Sequence, residues 1–249
     1  MQQTFPTVTA GDIAITQNEV LVSEALSLAK LDQNLMEQQL TAFLRYSLDD
    51  DLLPLSMTSQ QRYYCLLQYL GAQKQNDLAV GVNVNDYLFS GHKAWKTQVI
   101  VEGVTVRQLT GLEVEALELI AEGLDDWLVG AMSLQMSFGE DLPYIQPLTD
   151  RRHAAKVIKS RYDRLVSYGQ DKLNDFHRIY SLAEDELASL VSLGFDSKGV
   201  VLFKTDGGSD SEPARFQCDT TIYGFTKQLF SALAEGSTTS GERLGDGIE

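Results

Sequence analysis

The chain is poor in the residues that most often announce chemistry. It holds 2 cysteines, 3 histidines and 2 tryptophans in 249 residues. Cys65 and Cys218 are far apart, with no Cys-x-x-Cys spacing and no neighbouring histidine. That excludes a disulfide framework and predicts inert, buried thiols in a reducing compartment. His92, His153 and His177 are scattered, and none stands at i, i+3 or i+4 from another, so no metal site is expected. Positive charge is scarce: 20 Lys+Arg face 35 Asp+Glu, a net charge of −15. Nucleic acid and anionic membrane both need a positive footprint, so neither is expected as the main partner. Long apolar runs are missing too. The longest, 124–138, is interrupted by Asp125, Asp126 and Gln135 and cannot span a bilayer. The N-terminal Met-Gln-Gln-Thr-Phe-Pro has no basic and apolar regions of a secretory signal, so secretion by that route is not expected. No phosphate-binding loop, dinucleotide fingerprint or nucleophile elbow occurs. The expectation is therefore a non-enzymatic protein with no cofactor.

What is present is an ordinary globular composition, 43% hydrophobic and 22% charged, with enough chain to bury a core. Residues 1–17 read as an extended N-terminal arm. Residues 18–91 form a helical part. Within it, Val22, Ala25, Ala29, Met36, Leu40, Phe43 and Leu44 recur at helical spacing, with a break near Asp32. The acids Asp49, Asp50 and Asp51 and then Pro54 close that run. Thr58 and Gln61 have the form of a capping box, opening a helix that Gly71 can end. Residues 92–194 hold a β-hairpin plus helices. The hairpin spans 97–108, turning at Glu102-Gly103. Thr110 and Glu113 make a second capping box, opening a helix interrupted at Gly123 and resumed from Asp125 to Phe138. A long helical segment starts at Thr149 or Asp150 and runs through Tyr180. Ser181 and Glu184 suggest a third capping box, with a helix to Gly194. Residues 195–235 read as a small strand–loop–strand–helix unit, with strands Gly199–Lys204 and Ala214–Cys218 and a helix from Tyr223 to Ala234. Residues 236–249 read as a disordered acidic tail. The fold class is α+β: predominantly helical, with a central β-hairpin and the C-terminal strand–loop–strand–helix unit.

Charge is distributed unevenly. Between 151 and 164, six basic residues (Arg151, Arg152, Lys156, Lys159, Arg161, Arg164) meet one acid, Asp163, a local net of +5. From 183 to 249, twelve acids outnumber five basic residues, a net of −7. The basic window has two readings. It is a solvated helix face, or it is a contact surface for an acidic partner, including another copy of this chain. Nucleic acid ranks third, because Tyr162 is the only aromatic residue in the window that could stack on a base. The loop Asp206–Glu212 places oxygen donors at alternating positions, but a polar hairpin loop explains it more simply than a cation site. The stretch Trp127–Met136 is core, or an adaptable methionine-rich interface.

Three short stretches carry a resemblance: Met57-Thr58-Ser59-Gln60-Gln61-Arg62-Tyr63-Tyr64, Asn85-Asp86-Tyr87-Leu88 and Trp127-Leu128-Val129-Gly130-Ala131-Met132. In these the chain resembles small acidic proteins encoded among the tail genes of tailed bacteriophages. The resemblance implies a virion tail or baseplate component, or a tail-assembly chaperone absent from the mature virion. Its location would be the virion tail, or the host cytoplasm during assembly. Its partners would be other tail or baseplate proteins, with homo-oligomerisation allowed, and it implies no catalytic residue. The arm at 1–17 and the tail at 236–249 would then order on binding. The rival from another class is a regulatory DNA-associated factor using the basic 151–164 helix.

Overall fold

The computed structural model describes residues 2–72, 83–91, 93–205 and 213–215. The class is α+β. A first hairpin pairs β1 (Val8–Ala10) with β2 (Ile13–Ile15). Helices α1 (Val22–Leu28), α2 (Met36–Leu48), α3 (Leu53–Ser56) and α4 (Ser59–Ala72) follow, then a 3₁₀ turn at Val84–Tyr87. A three-stranded antiparallel sheet has the order β3 (Gln98–Val101), β4 (Val104–Arg107), β5 (Met136–Ser137). Between β4 and β5 lie α5 (Gly111–Glu118) and α6 (Leu124–Gln135). Two long helices, α7 (Arg151–Val166) and α8 (Gln170–Leu187), precede the antiparallel pair β6 (Ser192–Asp196) and β7 (Gly199–Phe203).

Several elements form for the local reasons read from the sequence. The break near Asp32 separates α1 from α2. Thr58 N–H donates to Gln61 Oε1 at 2.9 Å, and Gln61 N–H donates back to Thr58 Oγ1 at 3.3 Å, closing the capping box that starts α4. Thr110 N–H donates to Glu113 Oε2 at 3.0 Å at the start of α5. The β3–β4 register puts Val101 opposite Val104, so Glu102-Gly103 is a two-residue connection. Both residues take positive φ, 50° and 79°, as the mirror-image turns that match strand twist require. One contiguous core runs from Phe5 to Leu202. Trp127, Ala131, Met132, Leu134 and Met136 all lie in it, so this stretch is packing and not an exposed interface. Cys65 is fully buried, and burial pushes its thiol up to about 12. Cys218, His92 and the segments 206–212 and 216–249 lie outside the described residues. The expected polar loop at 206–212, last helix and acidic tail lie there too.

Four expectations need correction. Residues 2–17 do not run as one extended arm; they fold back as the β1–β2 hairpin. Phe5 packs edge-on against Tyr69 at 5.1 Å, and Gln61 Nε2 donates to Ala10 O at 3.0 Å. The helix expected to reach Phe138 stops at Gln135, because Met136 pairs with Val106 to become the third strand of the sheet. The long helical segment breaks at 167–169, and α8 then runs unbroken through Ser181. Ser181 is therefore mid-helix, its hydroxyl donating back to His177 O at 3.0 Å, and no new helix starts there. Gly194 lies inside β6, whose partner across Ser197-Lys198 is β7. The strand expected at 214–218 is represented among the described residues by Ala214, which bridges Leu202 on the other side of β7.

Candidate functional site

Helix α7 carries the basic cluster, and its period sorts the six residues into different jobs. Asp150 caps the helix by accepting from Arg152 N–H at 2.9 Å. Ala154, Ile158, Arg161 and Leu165 recur at intervals of four and three and form the buried face. Arg161 is thus inside: only 7% exposed, it donates to Met136 O at 2.7 Å, to Pro143 O at 2.7 Å and to Ser133 O at 2.5 Å. Burial, followed by repulsion from Arg107, pulls its guanidinium down to about 10. Arg161 therefore stitches α7 to the end of α6 and cannot meet a partner. Arg151 pairs with the buried carboxylate of Glu115, and Arg164 pairs with Asp141 at 2.6 Å.

The other three basic residues share the outer face. Arg152, Lys156 and Lys159 are spaced four and three apart and all are exposed. Lys159 makes a loose i,i+4 pair with Asp163 at 3.4 Å. Among the described residues, Arg152 and Lys156 have no side-chain partner. The free basic surface is therefore half of the cluster seen in the sequence.

Interior charges form a second set, which the sequence did not single out. Glu37 on α2 and Arg62 on α4 are both buried. Arg62 Nη2 lies 3.2 Å from Glu37 Oε2 and donates to Glu37 O at 2.8 Å, while Tyr63 OH donates to Glu37 Oε1 at 2.5 Å. Desolvation pushes the Glu37 carboxyl up, and Arg62 opposes that shift. Arg107 forks onto Glu113 at 2.8 and 2.6 Å, and Glu113 Oε1 also accepts from Leu148 N–H at 3.0 Å, holding the chain that leads to α7. Glu118 Oε1 and Oε2 accept from Glu37 N–H and Gln38 N–H, at 2.7 and 3.2 Å. Helix α2 starts after Leu35, which has no capping side chain, so Glu118 supplies from α5 the acceptor that α2 lacks.

Glu118 also borders a polar cleft of about 540 Å³, with Gln39, Trp127, Lys198 and Arg215 among its walls. Burial is the main reason its carboxyl rises to about 7, and the nearby Glu37 adds to the rise. Glu184 rises to about 7 for the same first reason, with Gln135 Nε2 donating to it at 2.7 Å. Two carboxyls thus exchange protons near neutrality, but each is engaged in holding elements together. Apart from Arg107 and Glu113, six positions apart, these pairs join residues from 25 to 81 positions apart, so local sequence carries no signal for them. Among the described residues there is no cluster of three metal-ligating side chains, and no helix is long and apolar enough to cross a membrane. Comparison with protein-family models, curated proteins and solved structures gives no match to this chain.

Proposed function

We propose that this chain is a non-enzymatic structural or assembly protein of a bacteriophage tail or baseplate, acting through protein–protein contacts. The observation that carries the contact role is the outer face of α7. Arg152, Lys156 and Lys159 stand exposed on a rigid helix of a molecule whose net charge is −15. A compact basic face on an acidic body steers an acidic partner and repels wrong approaches by the rest of the surface. The phage assignment rests on the three sequence stretches quoted above. These stretches lie at the start of α4, in the 3₁₀ turn and in α6.

The test is capture of partners by the tagged chain from cells producing the particle. Reversing Arg152, Lys156 and Lys159 to Glu is expected to lose the co-purifying tail proteins. Unchanged recovery with the reversed face would overturn the contact assignment. Mass spectrometry of purified particles separates the two versions: a structural component is present, whereas a tail-assembly chaperone is abundant in lysate and missing from virions. Duplex DNA at low salt is expected to give no binding. Binding that falls steeply with added salt would instead favour the DNA-associated factor.

A further inference from the structure

Strand β3 ends its sheet. Among the described residues, the order β3-β4-β5 leaves one long side of β3 without a strand neighbour. The register decides which groups that side presents. Gln108 N–H donates to Thr97 O, and Val99 and Val101 stand opposite Val106 and Val104 across a two-residue turn. In such a ladder the odd-numbered residues of β3 exchange hydrogen bonds with β4, and Gln98 and Ile100 turn their N–H and C=O groups outward. Neither has another backbone partner among the described residues. Ile100 is 69% exposed, the most exposed of the described valines and isoleucines. A flat edge with a large apolar residue is a template for another strand, and native proteins usually blunt it with charge, proline or a bulge. No charge, proline or bulge interrupts Gln98-Val99-Ile100-Val101.

We infer that β3 is a self-pairing edge, and that its partner is β3 of a second copy, antiparallel about a two-fold axis through Val99. Charge selects both the occupant and the register. With Val99 opposite Val99, Gln98 meets Ile100 of the second copy, and the outward-facing groups of both strands pair with one another. That register also brings together the charged flanks of the two strands, Lys96 two residues before β3 of each copy and Glu102 in the turn after β3 of the other, so both ends of the joined strands carry opposite charges. Shifting by two residues in either direction loses this match, setting Lys96 against Ile100 or Glu102 against Gln98. Within one copy, Lys96 and Glu102 are held by α8 through Glu186 and Arg178, at 2.5 and 2.7 Å. Both side chains remain about half exposed, with their charges at the strand ends. The two sheets then merge into one, and each copy's exposed Ile100 is covered by the other. An isologous contact of this kind closes on itself and gives a dimer, not a filament.

The measurement is sedimentation equilibrium of the full chain. The wild type is expected to show a concentration-dependent monomer–dimer equilibrium. Ile100→Pro deletes an N–H that faces outward and leaves the ladder to β4 intact, so the fold is retained while dimerisation weakens at least tenfold. Lys96→Glu and Glu102→Lys each weaken self-association, and mixing the two variants restores a dimer as the heterodimer, which loss of the ties to α8 alone cannot do. A wild type that stays monomeric at the highest soluble concentration overturns the inference. So does a dimer indifferent to Ile100→Pro, or a mixture of the two charge variants that forms no more dimer than either alone. Reversal of Arg152, Lys156 and Lys159 leaves this equilibrium unchanged, so its outcome is separable from that of the α7 face.

Discussion

Arg62 lies beside Glu37 with no solvent to share the charge, and Gly111 leaves the room it needs. A β-carbon at Gly111 would stand 2.2 Å from Arg62 Nη1 and 2.2 Å from Pro54 O, and the second contact is backbone that cannot swing away. Gly111→Ala should therefore destabilise by about 1–3 kcal/mol, outweighing a helix-propensity gain of at most about 1 kcal/mol. Urea denaturation at constant m-value checks this, and a stabilised variant would contradict the packing argument. Arg62→Leu should cost about 3–5 kcal/mol, because it strands the Glu37 carboxylate in the interior. The pair Glu37→Leu with Arg62→Leu should recover much of that loss. If the double variant is no better than the single one, Arg62 serves mainly by filling space.

At the scale of elements, the decisive observations concern where helices start and stop. Thr58, Thr110 and Ser181 each stand three residues before Glu or Gln, yet only the first two open helices. The motif needs a residue outside the helix to cap it. Ser181 follows eleven residues of α8 already wound, so its backbone N–H is spoken for. Ser181→Ala should accordingly stabilise by a few tenths of a kcal/mol through helix propensity, whereas loss of a true cap costs about 1 kcal/mol. Thermal unfolding distinguishes the two signs. Glu118 gives the opposite case, a cap supplied by another helix. Glu118→Ala should loosen the first turn of α2, which is visible as faster amide exchange at Glu37 and Gln38 than in the wild type.

The whole molecule carries an opposition between its interior and surface charges that sets its response to pH. Glu118 and Glu184 sit at about 7 in the fold against an ordinary 4.5, so the folded state holds protons that the unfolded chain has released. Their contribution is complete below about pH 4.5 and is lost as pH rises through about 7. Surface acids behave in reverse. Hydrogen bonds from Arg178 hold Glu102 below its usual range, and those from Arg164 do the same for Asp141. That stabilisation is lost on acidification. The melting temperature should fall by roughly a few degrees between about pH 5 and pH 8. Glu118→Gln and Glu184→Gln should each flatten that fall. A melting temperature that climbs over this interval in the wild type would mean that both carboxyls ionise freely in the fold.

The sequence by itself determined what depends on neighbours within about four residues. Capping boxes at Thr58 and Thr110, the Glu102-Gly103 turn and the amphipathic period of α7 all follow from backbone geometry and side-chain reach along one element. Net charge and the scarcity of cysteine and histidine are likewise properties of the chain alone. Tertiary structure decided everything that depends on which distant residue arrives. Met136 continues a helical pattern until Val106 offers it a strand partner. Arg161 reads as one more basic residue until three carbonyls at the end of α6 and beyond surround its guanidinium. The basic cluster of six becomes an open face of three for the same reason: charge is a property of sequence, but burial and pairing belong to the packed interior.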